Sequence, residues 1–377
     1  MIIELHLLQN FAPANLNRDD TGSPKECTFG GVRRARISSQ AFKRAIRREF
    51  SDLLPRDQLA YRTKRVVSLM VERLVSAGKS TEEAEVVAIN TLNAAGFKKI
   101  KDNKKGEPET EYLIFIGDDE VDGLVAVAQK HWDILVAAKK PEDCSAAKKD
   151  AQCALEKSSS VDLALFGRML ADLPDKNVEA ACQVAHAIST NRLAAEFDYF
   201  TALDDLSGAD ESGAAMIESL GFNSACFYRY INIDVDAMVT RLGRERAKEA
   251  LGIFLDSVSR AIPTGKQNSM AAHNPVAFWL GEVRSHGHVS LANAFLSPVS
   301  TPREGDLVSA SVAALDNYWG QMTELYGDED TKFVAVASLS ERGLDKLASK
   351  RVSSFAIFKK NLIETALPGT ASSEKKG

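Results

Sequence analysis

Residues 29–50 read FGGVRRARISSQAFKRAIRREF. In the second half of this stretch Ala41, Phe42, Ala45, Ile46 and Phe50 recur at helical spacing and make one apolar face, with Gln40, Lys43, Arg44 and Arg47 running beside it. Ser38 fits an N-cap, and Pro55 closes the segment. A second pattern lies over the first. Between Val32 and Arg48 stand seven basic residues (Arg33, Arg34, Arg36, Lys43, Arg44, Arg47, Arg48) and no acid, in a chain whose formal net charge is −5.

Before this stretch, MIIELHLLQNFA has no basic n-region and reads as a strand, Ile3, Leu5 and Leu7 alternating with Glu4 and His6. The loop NFAPANLNRDDTGSPKE at 10–26 is too long for a tight turn and is a candidate functional loop. After it, residues 56–180 are mostly helical in pattern, with EYLIFIG (111–117) as a short strand. VAHAIST (184–190) reads as a strand. EFDYFTALDD (196–205), the acidic tip LSGADESG and the return run CFYRYINID (226–234) read as a long hairpin. An amphipathic helix is expected over 235–261, stopped by Pro263, then a strand at VAFWLGEV (276–283) and a disordered tail GTASSEKKG. Strand, basic helix, strands, long helix and strand is an order compatible with a split β-α-β, ferredoxin-like sheet that carries a helical insertion and a hairpin.

Composition narrows the function. With 45% hydrophobic and 26% charged residues the makeup is ordinary globular, and no apolar run is long enough to cross a bilayer, so a soluble chain is expected. The cysteines Cys27, Cys144, Cys153, Cys182 and Cys226 show no C-x-x-C spacing; neither a disulfide framework nor a zinc site is suggested, and a cytoplasmic location follows as the expectation. Six scattered histidines, with no H-E-x-x-H, Walker loop or G-x-S-x-G, leave catalysis poorly supported. Asp19–Asp20 and Asp204–Asp205 could hold Mg²⁺ for phosphodiester cleavage; the plainer reading is that they cap or turn their loops.

The basic island is the strongest chemical signal. Seven close cations repel one another unless counter-ions or a polyanion neutralise them, and binding a single strand releases those ions with a slope of about −0.7 per phosphate contacted. The plainer reading is a basic, solvated helix face. Tyr199 and Phe200, with GRM at 167–169, could wedge between bases, although alone such aromatics are more often core. The pairs Lys98–Lys99, Lys104–Lys105, Lys139–Lys140 and Lys148–Lys149 are most simply solvated faces.

Taken in order, LNRDD (16–20), FGG (29–31), the basic run 33–47, GRM (167–169), AHAIST (185–190), FDYFTALDD (197–205), FYRYINI (227–233), GKQ (265–267) and LANAF (291–295) resemble the CasC backbone subunit of type I-E CRISPR Cascade. The resemblance covers residue 10 to about 295. It implies an α+β fold with a ferredoxin-like or RRM-like palm, a helical fingers insertion and a β-hairpin thumb. The palm would take residues 1–54, the fingers 55–180, a palm strand and the thumb 181–234, the rest of the palm 235–368 and a tail 369–377. It further implies a non-catalytic subunit that stacks head to tail along a CRISPR RNA, without cofactor or membrane, and presents the guide to target DNA among other Cascade subunits. By that likeness Arg18, Lys25, Arg34, Ser38, Gln40, Lys43 and Arg47 would grip RNA, as would Lys266 and Gln267. Arg168 and Met169 would sit where the strand kinks, and Tyr199, Phe200 and Thr201 would wedge a displaced nucleotide; Lys139, Lys140, Lys148 and Lys149 would guide DNA. The fingers and the last eighty residues match loosely. The alternative is a filament subunit that cuts target RNA with a metal at Asp19 or Asp20. A third class, a processing nuclease, usually needs a histidine near the groove, and none lies close in sequence to the basic island.

Overall fold

The computed structural model describes residues 1–97, 99–156, 158–202, 216–303 and 305–369, without the side chains of 200–202 and 216–218. The chain divides into a sheet unit of Met1–Glu49, Gln183–Val235 and Leu251–Gly377, and a helical unit of Phe50–Cys182 and Asp236–Ala250.

The first strand, Ile2–Ala14, is central in its sheet: it pairs antiparallel with Met216–Asp234 on one side and with Phe278–Arg284 on the other. From edge to edge the path is Thr331–Ser338, Phe278–Arg284, Ile2–Ala14, Met216–Asp234, Ala187–Ser189, Val32–Ile37 and Glu26–Phe29. Glu196–Ala202 returns along the first part of Met216–Asp234 and makes the long hairpin.

Alternation along Ile2–Leu8 suggests one wet face, but both faces are buried. Ile3, Leu5 and Leu7 are covered, and so are Glu4 at 0% and His6 at 1% exposure. Their face packs under the helix Leu307–Tyr326, whose Val312 and Leu315 meet Leu8, Tyr228 and Phe278. Most of the polar groups there are paired, as burial demands, while Glu4 Oε2 has no hydrogen bond and faces Arg284 Nε at 3.5 Å. His6 Nδ1 lies 2.8 Å from the Tyr228 hydroxyl, Glu4 accepts from Val289 N at 2.8 Å and from the Tyr230 hydroxyl, and Trp319 Nε1 donates to Glu282. Burial pushes Glu282 up to about 7, raises Glu4 and lowers His6 to about 3.

On the opposite face the helix Ser39–Leu53 is built as its periodicity predicts, with Phe42, Ala45 and Ile46 buried. Phe42 lies under the guanidinium of buried Arg229, 4.1 Å from ring centroid to Cζ, and Arg229 donates to Gln9 Oε1 at 2.7 Å. The helix Phe355–Ala366 packs against Phe278–Arg284 at Gly281, where a Cβ would come within 2.6 Å of Leu362 and Phe358. The helix expected over 235–261 is two, Val235–Leu242 and Arg244–Arg260, divided at Gly243 with φ +76°. A left-handed glycine ends one helix and lets the next start.

The helical unit is larger than the 55–180 insertion expected, since it also takes Asp236–Ala250. Its core gathers Val67, Met70, Leu74, Val87, Leu92 and Leu124 from Val66–Ser76, Thr81–Ala95 and Asp118–Lys130. Ser80 caps the second of these by accepting from Glu83 N. Among the described residues no helix is long and apolar enough to cross a membrane.

Candidate nucleic-acid interface

The loop after the first strand is held by two asparagines. Asn15, with 0% exposure, donates through Nδ2 to Gly22 O at 3.0 Å and to Gly221 O at 2.9 Å, which ties the loop to the hairpin. Asn17 Oδ1 accepts from Ser38 N at 2.8 Å, which ties the loop to the start of the basic helix. Lys25 N donates to Asn17 O at 2.8 Å, and Arg36 N to Lys25 O at 2.9 Å, so Lys25 and Arg36 lie on adjacent backbones. Arg18 is exposed. Asp19 Oδ1 accepts from Thr21 N, Thr21 Oγ1 and Ser23 N at 2.9, 2.7 and 3.0 Å. The Thr21 hydroxyl bond above all holds this carboxyl below its ordinary range. Asp19 therefore folds its own loop, as its plainer reading had it, and among the described residues no group of three or more His, Cys, Asp or Glu could hold a metal. Asp204 and Asp205 lie outside the described residues.

Ser38 is buried and acts as the helix cap: its hydroxyl accepts from Ala41 N at 3.3 Å. Beyond it opens a cleft of about 270 Å³ lined by Asn17, Ser38, Gln40, Arg44, Arg48 and Thr264. The cations that line it are Arg44 and Arg48 rather than Lys43 and Arg47, which are half-buried one helix position away. The sequence counts Arg44 and Arg48 in the basic island, and only the direction of the helix face selects them. Lys266 (φ +51°) and Gln267 follow Gly265, where a Cβ would fall 2.4 Å from Leu16 O, so their loop abuts the same asparagine segment. Gln267 Nε2 is turned to its own loop, 3.2 Å from Ala272 O, and its Oε1 is buried without a hydrogen-bond partner.

His186 is a residue the sequence reading missed. Its Nδ1 accepts from Ser39 N at 2.9 Å, at the N-terminus of the basic helix and 147 residues away in sequence. That bond places the ring proton on Nε2. Burial, with Arg36 and Lys25 nearby, lowers its pKa. The only hint was its place in AHAIST.

Two expected RNA contacts are corrected. Arg34 is 0% exposed, and its guanidinium donates to Ser189 O (2.9 Å), Thr190 O (2.7 Å), Phe295 O (2.6 Å) and Leu296 O (3.2 Å); it serves backbone carbonyls and cannot reach a phosphate from there. The adjoining FGG turn closes on the same segment, since a Cβ on Gly30 (φ +61°) would lie 2.0 Å from Leu296 O. In the helical unit Arg168 is buried, donating to both Glu120 oxygens at 2.6 and 2.7 Å, to Lys176 O at 2.9 Å and to Leu155 O at 2.8 Å. It anchors its loop, and the next residue, Met169, is left 81% exposed beside an apolar hollow of about 170 Å³ with Phe97, Tyr112, Leu113 and Leu170. Lys139, Lys140, Lys148 and Lys149 are all exposed, around the turn Pro141–Ala147. Of the basic island, Arg33 is also spoken for, by an ion pair with Glu26.

In the hairpin, Glu196–Ala202 pairs residue for residue with 216–222, Phe197 opposite Gly221 and Tyr199 opposite Ser219. Tyr199 is 66% exposed, and so is a second aromatic not singled out from the sequence, Phe197, at 70%. Phe200 and Thr201 belong to the strand, opposite Glu218 and Ile217, but their side chains lie outside the described set.

A sequence model of the family described as CT1975-like protein matches residues 3–360. The fold is similar to a chain of "CRISPR RNA-guided surveillance complex, pre-nicking", with a TM-score of 0.86 and 30% identity over 97% of this chain and 100% of that one. A chain of "CRISPR RNA-guided surveillance complex" gives a TM-score of 0.76 and 26% identity over 96% and 99%. No curated protein matches the chain.

Proposed function

From the premise that the chain belongs to the CT1975-like family of Cas proteins, the CasC-type backbone subunits, we propose that it is a non-catalytic CRISPR RNA-binding subunit. Copies stack head to tail along one guide RNA and hold it for pairing with target DNA in antiviral defence, with other Cascade subunits as partners. The similarity to chains of RNA-guided surveillance complexes supports this reading.

The sheet unit is taken as the ferredoxin-like palm. In support, Phe278–Arg284, Ile2–Ala14, Met216–Asp234 and Ala187–Ser189 stand side by side in the spatial order of a split β-α-β sheet, counted fourth, first, third and second in its scheme. The hairpin is the thumb and the helical unit the fingers. RNA phosphates are gripped by Arg18, Lys25, Gln40, Lys43, Arg47 and Lys266, and we add Arg44, Arg48 and the Nε2–H of His186. Ser38, Arg34 and Gln267 position the groove. Arg168 positions Met169 at the kink, Tyr199, Phe200 and Thr201 act at the displaced nucleotide, and Lys139, Lys140, Lys148 and Lys149 meet DNA.

One observation carries the reading: Asn15 donates to Gly22 O in the loop of Arg18 and Lys25 and to Gly221 O in the hairpin of Tyr199, which holds the two segments side by side; we read their cations and aromatics as meeting one RNA strand. Sequence recognition then belongs to the guide, and the protein need only hold backbone and shape. Weak grips add up because many copies share one RNA.

The test is periodic nuclease protection of a guide RNA co-expressed with the protein. Regular protection that loosens in Phe200→Ala is expected; uniform or absent protection would overturn the reading. Adding complementary RNA and Mg²⁺ should give no regularly spaced cuts, and cuts lost in Asp19→Ala would establish the enzyme instead.

A further inference from the structure

We infer that Phe197, at the foot of the hairpin, is the platform on which one unpaired base of the bound RNA stacks; this rests on the RNA-binding reading above. Strand alternation puts Phe197 and Tyr199 on one face, with Glu196 and Asp198 at the alternate positions. Phe197 and Tyr199 are 70% and 66% exposed, and opposite them stand only Gly221 and Ser219. Two large rings side by side over small partners form an apolar step that the chain's own core does not use.

The ground beside the step is bare by construction. A Cβ on Gly221 would come within 3.3 Å of Pro24 Cδ and 3.5 Å of Phe197 Cε1, so the glycine lets the ring edge and the proline approach across open backbone. Asn15 fixes that backbone through Gly221 O. Pro24 is followed directly by Lys25, and Pro24, Lys25 and Arg36 line one hollow. An apolar ring that meets Pro24 across Gly221, with Lys25 and Arg36 on the far side of that proline and the hairpin acids at alternate positions, suits a base attached to a phosphate better than an apolar peptide. Because every base offers a π-face, the platform accepts any of the four.

The test uses the full-length protein and a short single-stranded RNA carrying 2-aminopurine, with affinity and fluorescence read together. Quenching of the 2-aminopurine on binding is expected. Phe197→Leu, which keeps the bulk and loses the ring, should abolish the quench and weaken binding roughly five- to hundred-fold. Phe197→Trp should restore both. A quench that survives in Phe197→Leu while RNA still binds would overturn the platform and leave the RNA-binding reading standing. RNA binding absent from the unmodified protein would overturn both.

Discussion

Asn15 Nδ2 lies 2.9 Å from Gly221 O, and those two residues are 206 apart in sequence. The second proton of the same amide goes to Gly22 O at 3.0 Å. One buried side chain thus sets the distance between a cationic loop and an aromatic ribbon.

Asn15→Ala removes both bonds and leaves the carbonyls to find water, which should cost about 1–3 kcal/mol in denaturant unfolding. RNA affinity should fall as well, with an unchanged slope of log K against log salt, because no cation is lost. A flattened slope in this variant would contradict the clamp role.

Replacing Arg44 and Arg48 together by alanine should weaken binding across all RNA sequences and reduce the salt slope by about 1.4, two phosphates at about 0.7 each. Lys43→Ala with Arg47→Ala should act in the same direction. Titrations of one oligonucleotide at several salt concentrations compare the pairs, and a smaller slope change for Arg44 and Arg48 would assign the cleft the lesser share.

Arg168→Ala leaves the Glu120 carboxylate buried without its ion pair, held only by Gly117 N at 2.8 Å, and should destabilise the protein by about 3–5 kcal/mol. Replacing Arg168 by Met and Glu120 by Leu at once should recover most of that loss. Thermal unfolding decides it: if the double variant is as unstable as the single one, the pair is not the anchor of the Met169 loop.

Burial shifts His6 and Glu282 in opposite senses. His6, about 3 folded against 6.5 unfolded, binds fewer protons in the native state, so it makes stability rise with pH across that window. Glu282, about 7 folded against 4.5 unfolded, binds more, so it makes stability fall between 4.5 and 7. Between pH 4.5 and 6.5 the two oppose each other and stability should be nearly flat, with Glu4 tilting it slightly downward. Glu282→Gln should expose the rising limb and His6→Gln the falling one, measured by urea unfolding at half-unit steps. Parallel profiles in all three proteins would exclude the cluster as the source.

Periodicity made the helix Ser39–Leu53 and the hairpin legible, because each carries its pattern within a few consecutive residues. Charge was legible as a count but not as a set of contacts. Arg34 and Arg36 look alike in sequence, yet Arg34 is drawn inward by carbonyls of Ser189, Thr190, Phe295 and Leu296 that no local pattern announces. His186 meets the start of the basic helix because the strand that follows it, Ala187–Ser189, pairs with Val32–Ile37, a long-range pairing that no local pattern announces. Glu4 and His6 alternate with apolar neighbours, but alternation reports polarity, not whether a helix some 300 residues later covers them. Gly243 could have been read as a break, but the apolar period runs through it.

The central position of Ile2–Ala14 has a consequence for biosynthesis. It leaves the ribosome before both of its neighbours, residues 216–234 and 278–284. While residues 50–182 emerge as one continuous segment able to collapse locally, this apolar ribbon must wait some 220 more residues for its first partner and some 270 for its second. Such non-local closure is slow and leaves a sticky edge in the nascent chain. Yield in a heterologous host should therefore depend on chaperone supply and translation speed more than on the finished protein's stability.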